Sequence, residues 1–81
     1  MAGELVAKYI TGVERALQQL RDARLDGKAA EVLDLARRYY EDAKHYVERG
    51  EHLTGLVCIV YSEGLLDALR ILGFVEFSWE R

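Results

Sequence analysis

The chain has 81 residues and a mass of 9.3 kDa, which suffices for one small domain, residues 1–81, but not for two hydrophobic cores. Its net charge of −3 has the wrong sign for non-specific affinity to nucleic acid or to an anionic membrane. A composition of 51% hydrophobic and 31% charged residues argues against disorder, and a single cysteine, Cys58, excludes an intrachain disulfide.

The first predicted element is a helix over residues 3–23. Its apolar residues recur at the spacing of one helical stripe, with charged residues such as Lys8 and Glu14 on the opposite side. The members of the stripe are Leu5, Tyr9, Val13, Ala16, Leu17 and Leu20. This pattern predicts a helix with one buried face.

A second helix is predicted over residues 27–49, again with an apolar stripe at helical spacing. The members of this stripe are Ala29, Leu33, Ala36, Tyr40, Ala43 and Val47. Asp26 is the expected N-cap, with its carboxylate accepting the free amides of the first turn. Gly50 is expected to end the helix, because glycine readily adopts the left-handed conformation that terminates helices.

The third helix, predicted over residues 52–72, is apolar nearly all round. Its charged residues Glu63, Asp67 and Arg70 fall within an arc of about 60° on a helical projection. Two neighbouring helices cannot cover the rest of such a surface. We therefore expect the C-terminal tail or a second copy of the chain to cover it, and we predict a homodimer.

The tail, residues 73–81, alternates apolar and polar residues from Val75 to Glu80, which is the period of a strand. A single strand has no partner in an all-helical chain, so we expect an extended or loosely turned tail that lays Phe74, Phe77 and Trp79 on the helices. The predicted fold is an all-α, up-and-down three-helix bundle with a short C-terminal tail.

Two stretches of the second and third helices resemble a known family. They are residues 35–46, followed by Gly50, and residues 61–70, in which Glu63-Gly64-Leu65-Leu66-Asp67-Ala68 is the most specific part. Over roughly residues 5–73 the chain resembles an archaeal family known as domain of unknown function 357. The resemblance implies a small up-and-down three-helix bundle in an archaeal cytoplasm, and it implies no reaction.

Glu63 and Asp67 are carboxylates at i and i+4, and such a pair repels unless a cation or a shared proton compensates. The pair suits a cation, a basic partner, or a small molecule or nucleotide; alternatively it is the solvent stripe of the helix, with Arg70 as the partner of Asp67. Gly64 lies beside the pair, and a glycine in mid-helix costs about 1 kcal/mol relative to alanine. This cost indicates close approach of another helix or of a ligand.

Arg38 and His45 fall on one face of the second helix, about 10.5 Å apart along its axis. Their spacing is similar to the Arg-x4–6-His motif of the helical ribonucleases of the HEPN class, which implies an RNA-binding or RNA-cleaving dimer as an alternative function. Against it, Asp34 and Asp42 flank Arg38 at i−4 and i+4 and discourage a phosphate from approaching. We therefore predict no catalytic activity, and we do not expect nucleic acid as a partner.

The soft metal ligands His45, His52 and Cys58 are spaced in no recognisable zinc pattern, so we predict no metal site and no cofactor. Cys58 is expected to be a small buried hydrophobic residue.

The function predicted from these features is that of a non-enzymatic interaction module, which self-associates or binds an unidentified partner protein through the third helix and the tail. The candidate surface comprises Tyr61, Glu63, Gly64, Asp67, Phe74, Phe77 and Trp79. The longest apolar run, residues 56–61, is far shorter than a membrane span of about 20 residues, so no membrane contact is expected. The N-terminus has no basic stretch leading into an apolar one, and we expect a cytoplasmic protein.

Overall fold

The computed structural model describes residues 2–80, and these residues form three helices and no strand. The helices are α1 (Ala2–Gln19), α2 (Gly27–Glu48) and α3 (His52–Ile71). The predicted all-α three-helix fold is confirmed. Helix α1 ends earlier than the predicted residue 23, because the amides of Leu20 and Ala23 donate to carbonyls three residues back and the chain there forms turns.

Helices α2 and α3 run in opposite directions, as the order of their contacts shows. The start of α3 lies against the end of α2, where a Cβ placed on Gly55 would lie 3.2 Å from the carbonyl oxygen of Ala43. About two turns further along α3, the buried hydroxyl of Ser62 donates a 2.7 Å hydrogen bond to the carbonyl of Ala36. Residue numbers therefore rise along α3 as they fall along α2.

Helices α1 and α3 run in the same direction. A Cβ on Gly55 would lie 3.6 Å from Cγ2 of Val6, and a Cβ on Gly3 would lie 3.7 Å from the ring of His52. In both contacts the same number of residues separates the α3 residue from its α1 neighbour in the sequence, so residue numbers rise together along the two helices. The chain thus runs up, down and up, as the short connections between the helices require.

Glycines end α2 and α3 in the same way. Gly50 and Gly73 adopt left-handed φ values of 79° and 83°. At the first of them, the Gly50 amide donates to the carbonyl of Val47 and the Glu51 amide donates to that of Tyr46, both at 2.9 Å. This pair of hydrogen bonds satisfies carbonyls that the helix itself leaves free. The predicted termination of the second helix at Gly50 is confirmed.

The start of α2 differs from the prediction in one detail. Asp26 occupies the N-cap position with extended backbone angles of −133° and 172°, but its side chain forms no capping hydrogen bond with the described residues. Its carbonyl accepts the amide of Ala30 at 3.3 Å. The predicted role of the Asp26 carboxylate is therefore wrong, although its position at the helix start is right.

The core draws residues from all three helices and from the tail. Its buried apolar members are Val6, Val13, Ala16, Leu20, Leu33, Ala36, Tyr40, Ala43, Cys58, Ile59, Leu66, Leu69 and Val75. At the start of α1 the buried residue is Val6, whereas the predicted Leu5 is exposed. The apolar period fixes the buried face of a helix only to within about one residue, and packing against α3 selects Val6.

The tail is extended and keeps the predicted alternation. Val75 is buried, and Phe77 and Trp79 pack against the core, which confirms the prediction for these two rings. The prediction for Phe74 is wrong, because its side chain is 53% exposed. Gly73 turns the chain at the end of α3, so that the inward series begins one residue later, at Val75.

Candidate interaction surface

The seven residues predicted as one interaction surface lie on two different sides of α3. Tyr61 and Gly64 are exposed to solvent, and Phe74 is exposed just beyond the helix end. The other four are half-buried on the side where α1 and the tail lie, and they are Glu63, Asp67, Phe77 and Trp79. The structure therefore divides the predicted surface in two.

The solvent side of α3 is a continuous apolar stripe. Its large side chains are between 46% and 70% exposed, and its small residues are exposed as well. The residues of this stripe, which we name the α3 outer face, are Leu53, Val57, Val60, Tyr61, Gly64, Ala68, Ile71 and Leu72. They recur every three or four positions and contain no charged group. From Leu53 to Leu72 the face is about 28 Å long.

The charged residues of α3 lie on a different arc, turned toward the tail. The Asp67 carboxylate accepts hydrogen bonds from the Arg70 guanidinium at 2.9 Å and 3.0 Å, as the alternative reading of Glu63 and Asp67 expected. Glu63 lines a cavity together with Lys8 and Tyr9 of α1. The side of α3 that water reaches most freely is thus the apolar one, which is the reverse of an ordinary surface helix.

Two glycines of α3 have opposite surroundings. A Cβ on Gly55 would lie 3.0 Å from Cγ2 of Val47, so this glycine lets α2 approach closely. No described atom lies within 4 Å of a Cβ placed on Gly64. The close approach predicted for Gly64 therefore does not occur among residues 2–80, where Gly55 has that role.

The tail is held by a pair of hydrogen bonds from α1. The Gln19 side chain donates from Nε2 to the carbonyl of Ser78 at 2.9 Å, and the Ser78 amide donates to Oε1 of Gln19 at 3.0 Å. One side-chain amide thereby binds both main-chain groups of one tail residue. Sequence reasoning missed Gln19, because nothing in a single glutamine on the polar side of a helix signals this contact.

The aromatic residues of the tail are fixed from α3. The indole Nε1 of Trp79 donates to Oδ1 of Asp67 at 2.9 Å. The rings of Phe77 and Trp79 meet edge to face with their centroids 4.8 Å apart. Arg15 of α1 faces Glu80 at 3.6 Å, and both of these side chains are more than half exposed. We name the surface formed by Arg15, Gln19 and Asp67, on which residues 75–80 lie, the tail groove.

The sequence of this bundle matches a known family. The family described as "Protein of unknown function (DUF357)" matches residues 8–75. This chain belongs to the DUF357 family. The predicted family is confirmed, and its description names no activity, so membership adds no reaction or ligand. Among curated proteins, none matches the sequence.

The tail groove lies inside the DUF357 match, and most of the tail lies outside it. Arg15, Gln19 and Asp67 fall inside the matched residues 8–75, as does the whole α3 outer face. Residues 76–80 of the tail fall outside them. The surface that holds the tail is therefore part of the DUF357 match, whereas most of the tail lies beyond it.

The alternative site at Arg38 and His45 is exposed on α2. Arg38 borders a shallow depression that is also lined by Glu31 and Asp34. The His45 ring meets the neighbouring Tyr46 ring edge to face, with centroids 5.9 Å apart. Lys28 lines the same depression, so the two basic and two acidic side chains there balance, and the local field is too close to neutral to attract a phosphate.

Three tyrosine rings, those of Tyr39, Tyr40 and Tyr61, pack against neighbouring side chains of the bundle. Tyr39 of α2 and Tyr61 of α3 meet edge to face with centroids 4.6 Å apart. The Lys44 ammonium lies 4.5 Å from the centroid of the Tyr40 ring, and its hydrogen bond with Glu41 raises the pKa of Lys44. These rings contact one another and side chains of their own helices.

The Cys58 side chain packs in the core. Cys58 is buried, which confirms it as a small core residue, and burial together with the Asp42 carboxylate raises the pKa of its thiol. Across residues 2–80, no three His, Cys, Asp or Glu side chains are grouped so as to hold a metal ion.

Helix α3 also has the length and composition of a membrane span. Its mean hydropathy over an 18-residue window is 1.2, and 33% of that window is buried inside the bundle. The core helix of a small bundle passes the same test, so one such helix is weak support for membrane insertion. The same composition accounts for the α3 outer face.

Proposed function

We propose that this chain is a non-enzymatic self-association module and that two copies bind each other through the α3 outer face. The observation that carries the proposal is a helix side that is exposed over its whole length and bears no charge. A surface helix of a monomer ordinarily places its charges on that side. Here water meets aliphatic side chains instead.

The size of the face fits a stable interface. Its exposed residues present on the order of 800 Å², which is what each partner contributes to a standard-size protein interface. The largest apolar patch of a typical monomer is about 300–600 Å². The α3 outer face is larger than a monomer usually tolerates and large enough for a partner.

A second copy is the partner that the chemistry of the face favours. A two-fold interface brings the same patch of both copies together, so any charge on the patch would meet its own like charge. The α3 outer face avoids this conflict because it contains no charge. Two identical aliphatic faces can therefore pack without leaving an unpaired buried ion.

Gly64 supports a packing of α3 against the α3 of a second copy. It lies near the middle of His52–Ile71, and Ala68 follows it one turn later on the same face. Helices approach more closely where the contact residues are small. A two-fold axis near Gly64 accounts for a mid-helix glycine that costs about 1 kcal/mol and whose added Cβ would meet nothing in residues 2–80 outside its own part of α3.

Sedimentation equilibrium of the wild type and of Val57→Glu tests this proposal. The wild type is expected to have twice the mass of 9.3 kDa at high micromolar concentration. Val57→Glu places a carboxylate in the interface of both copies, and we expect it to weaken the dimer at least about 100-fold. Gly64→Leu, which separates the helices at their crossing, is expected to weaken it at least about tenfold.

Ala7→Glu is the matched control, because Ala7 is exposed on α1, away from the α3 outer face. It should leave the dimer unchanged. A wild-type mass of 9.3 kDa at all concentrations would contradict the proposal. So would a dimer that survives both Val57→Glu and Gly64→Leu, or flotation of the wild type with neutral phosphatidylcholine vesicles in place of dimerisation.

The non-enzymatic part of the proposal has a separate test. RNA is incubated in metal-free buffer with the wild type and with an Arg38→Ala/His45→Ala double variant, and we expect no cleavage by either. The reason is that Glu31 and Asp34 balance the charges of Lys28 and Arg38 in the same depression, so the site lacks the positive field that attracts a phosphate backbone. Cleavage by the wild type that disappears in the double variant would assign the chain to the ribonuclease class instead.

A further inference from the structure

We propose that the tail groove is a binding site for an extended peptide of another protein, and that residues 75–80 are its built-in occupant. The contacts of the tail define the ligand chemistry. The peptide carries apolar side chains at alternate positions, an indole at the third of them and a carboxylate directly after the indole. This surface is separate from the α3 outer face.

The main chain of the ligand is recognised by Gln19. Its side-chain amide accepts the Ser78 amide at 3.0 Å and donates to the Ser78 carbonyl at 2.9 Å. An extended peptide normally finds this pair of bonds on the edge of a sheet. The helical surface provides it from one side chain, and the two bonds would form with any residue except proline at the position of Ser78.

The side chains of the ligand are recognised at alternate positions. Val75 is 7% exposed, and Phe77 and Trp79 pack against the core from the same side of the extended chain. The Trp79 indole also donates to Oδ1 of Asp67 at 2.9 Å, while Arg70 holds the same oxygen at 2.9 Å. A phenyl ring in place of the indole would fill much of the space but lose this hydrogen bond.

Charge and length extend the recognition beyond the indole. Arg15 faces Glu80 at 3.6 Å, which favours an acidic residue directly after the tryptophan. Trp79 and Glu80 border a cavity of about 130 Å³ whose lining includes the apolar side chains of Leu5 and Tyr9. The charged side chains of Lys8 and Glu63 also line it. A longer peptide than residues 75–80 therefore finds further contacts in this cavity.

The groove and its occupant belong to different parts of the chain. The residues that bind the tail lie inside the region matched by the DUF357 family, whereas residues 76–80 lie beyond it. Most of the tail's contacts are made between groups distant in sequence, with 59 positions between Gln19 and Ser78. A segment attached at one end and held by side-chain contacts can be replaced by a free peptide of the same chemistry.

The test measures binding of a fluorescein-labelled peptide with the sequence of residues 74–80 to the full chain. The tethered tail competes with the peptide at an effective concentration on the order of millimolar. Trp79→Ala loosens the tail but leaves the groove intact, so we expect it to bind the peptide at least about tenfold more tightly than the wild type does. In the Trp79→Ala background, Gln19→Ala is expected to reduce this affinity at least about tenfold.

Gln18→Ala is the matched control, since Gln18 is exposed one residue before Gln19. It should not change the affinity, and a peptide with phenylalanine in place of the tryptophan should bind more weakly. Equal binding to Trp79→Ala and the wild type would overturn the proposal. Equal effects of Gln19→Ala and Gln18→Ala would overturn it too.

A second measurement needs no loosened tail. Trp79 is the only tryptophan of the chain, so its fluorescence reports directly on the docked tail. Gln19→Ala in the otherwise native chain is expected to raise acrylamide quenching of Trp79, whereas Gln18→Ala leaves it unchanged. Unchanged quenching in both variants would show that Gln19 does not hold the tail and would contradict the proposed recognition.

Discussion

Helices α2 and α3 pack against each other but present opposite surfaces to solvent. Every exposed side chain of α2 is polar or charged, for example Glu31, Asp34 and Glu48. On α3 the most exposed side chains are aliphatic, with Leu53 and Val57 each 70% exposed. The two helices bury comparable stripes, so the core alone does not explain their difference. The comparison indicates that the outside of α2 is suited to water and the outside of α3 to another protein surface.

The largest expected effect comes from comparing the buried and outer faces of α3 itself. Leu66 is fully buried, and Leu66→Ala is expected to lower the free energy of unfolding by about 3 kcal/mol through lost burial and an internal cavity. Urea denaturation followed by circular dichroism at 222 nm measures this loss. In so small a domain the variant can also fail to fold, and a lost helical signal counts as a loss of at least this size.

Leu53→Ala is the matched control on the outer face. Measured in the Val57→Glu background, which keeps the chain monomeric, it is expected to cost less than about 1 kcal/mol because Leu53 is already 70% exposed. Equal losses for Leu66→Ala and Leu53→Ala would remove the distinction between the two faces of α3.

A smaller loss is expected for Gly55→Ala. The new Cβ would lie 3.0 Å from Cγ2 of Val47 and 3.2 Å from the carbonyl oxygen of Ala43, and the latter belongs to the α2 backbone. The α2 backbone cannot move away without disturbing the core, so we expect a loss of about 1–2 kcal/mol even after the gain in helix propensity. Thermal unfolding measures the loss, and an unchanged or raised midpoint would show that α2 and α3 are not in close contact there.

The smallest effect, with the opposite sign, is expected for Gly64→Ala. No described atom lies within 4 Å of the new Cβ, so only the preference of alanine for helix remains. We expect the monomer, held in the Val57→Glu background, to gain about 0.5–1 kcal/mol in the same measurement. A destabilised monomer would mean that something within the chain already covers the α3 outer face.

Much of the fold could be predicted from the sequence because each helix carries its own apolar period, and α2 and α3 are each followed by a glycine that ends them. The stripe of α2 and the termination at Gly50 depend on neighbouring residues alone, and both agree with the structure. Two of the errors fall where a neighbouring element decides. Packing against α3 buries Val6 instead of Leu5, and the turn at Gly73 directs Val75 inward instead of Phe74.

The candidate surface was less predictable than the fold. The residues singled out on α3 and the tail lie on two sides of the helix, because a helix that is apolar all round gives no sign of which side remains uncovered. Gln19 could not be predicted at all, since its partner Ser78 is 59 positions away. Contacts between distant polar groups have no local pattern.

The sequence by itself determined three helices, the ends of α2 and α3 at glycines and the apolar surplus of α3. Each of these follows from residue spacing and from backbone preferences, which act over one or two helical turns. Only the tertiary structure decided that α1, α2 and the tail cover one side of α3 and leave the side of Val57 and Gly64 open. The physical reason is that two helices and one extended segment cover only part of a helix circumference, and the packing of the whole bundle selects which part.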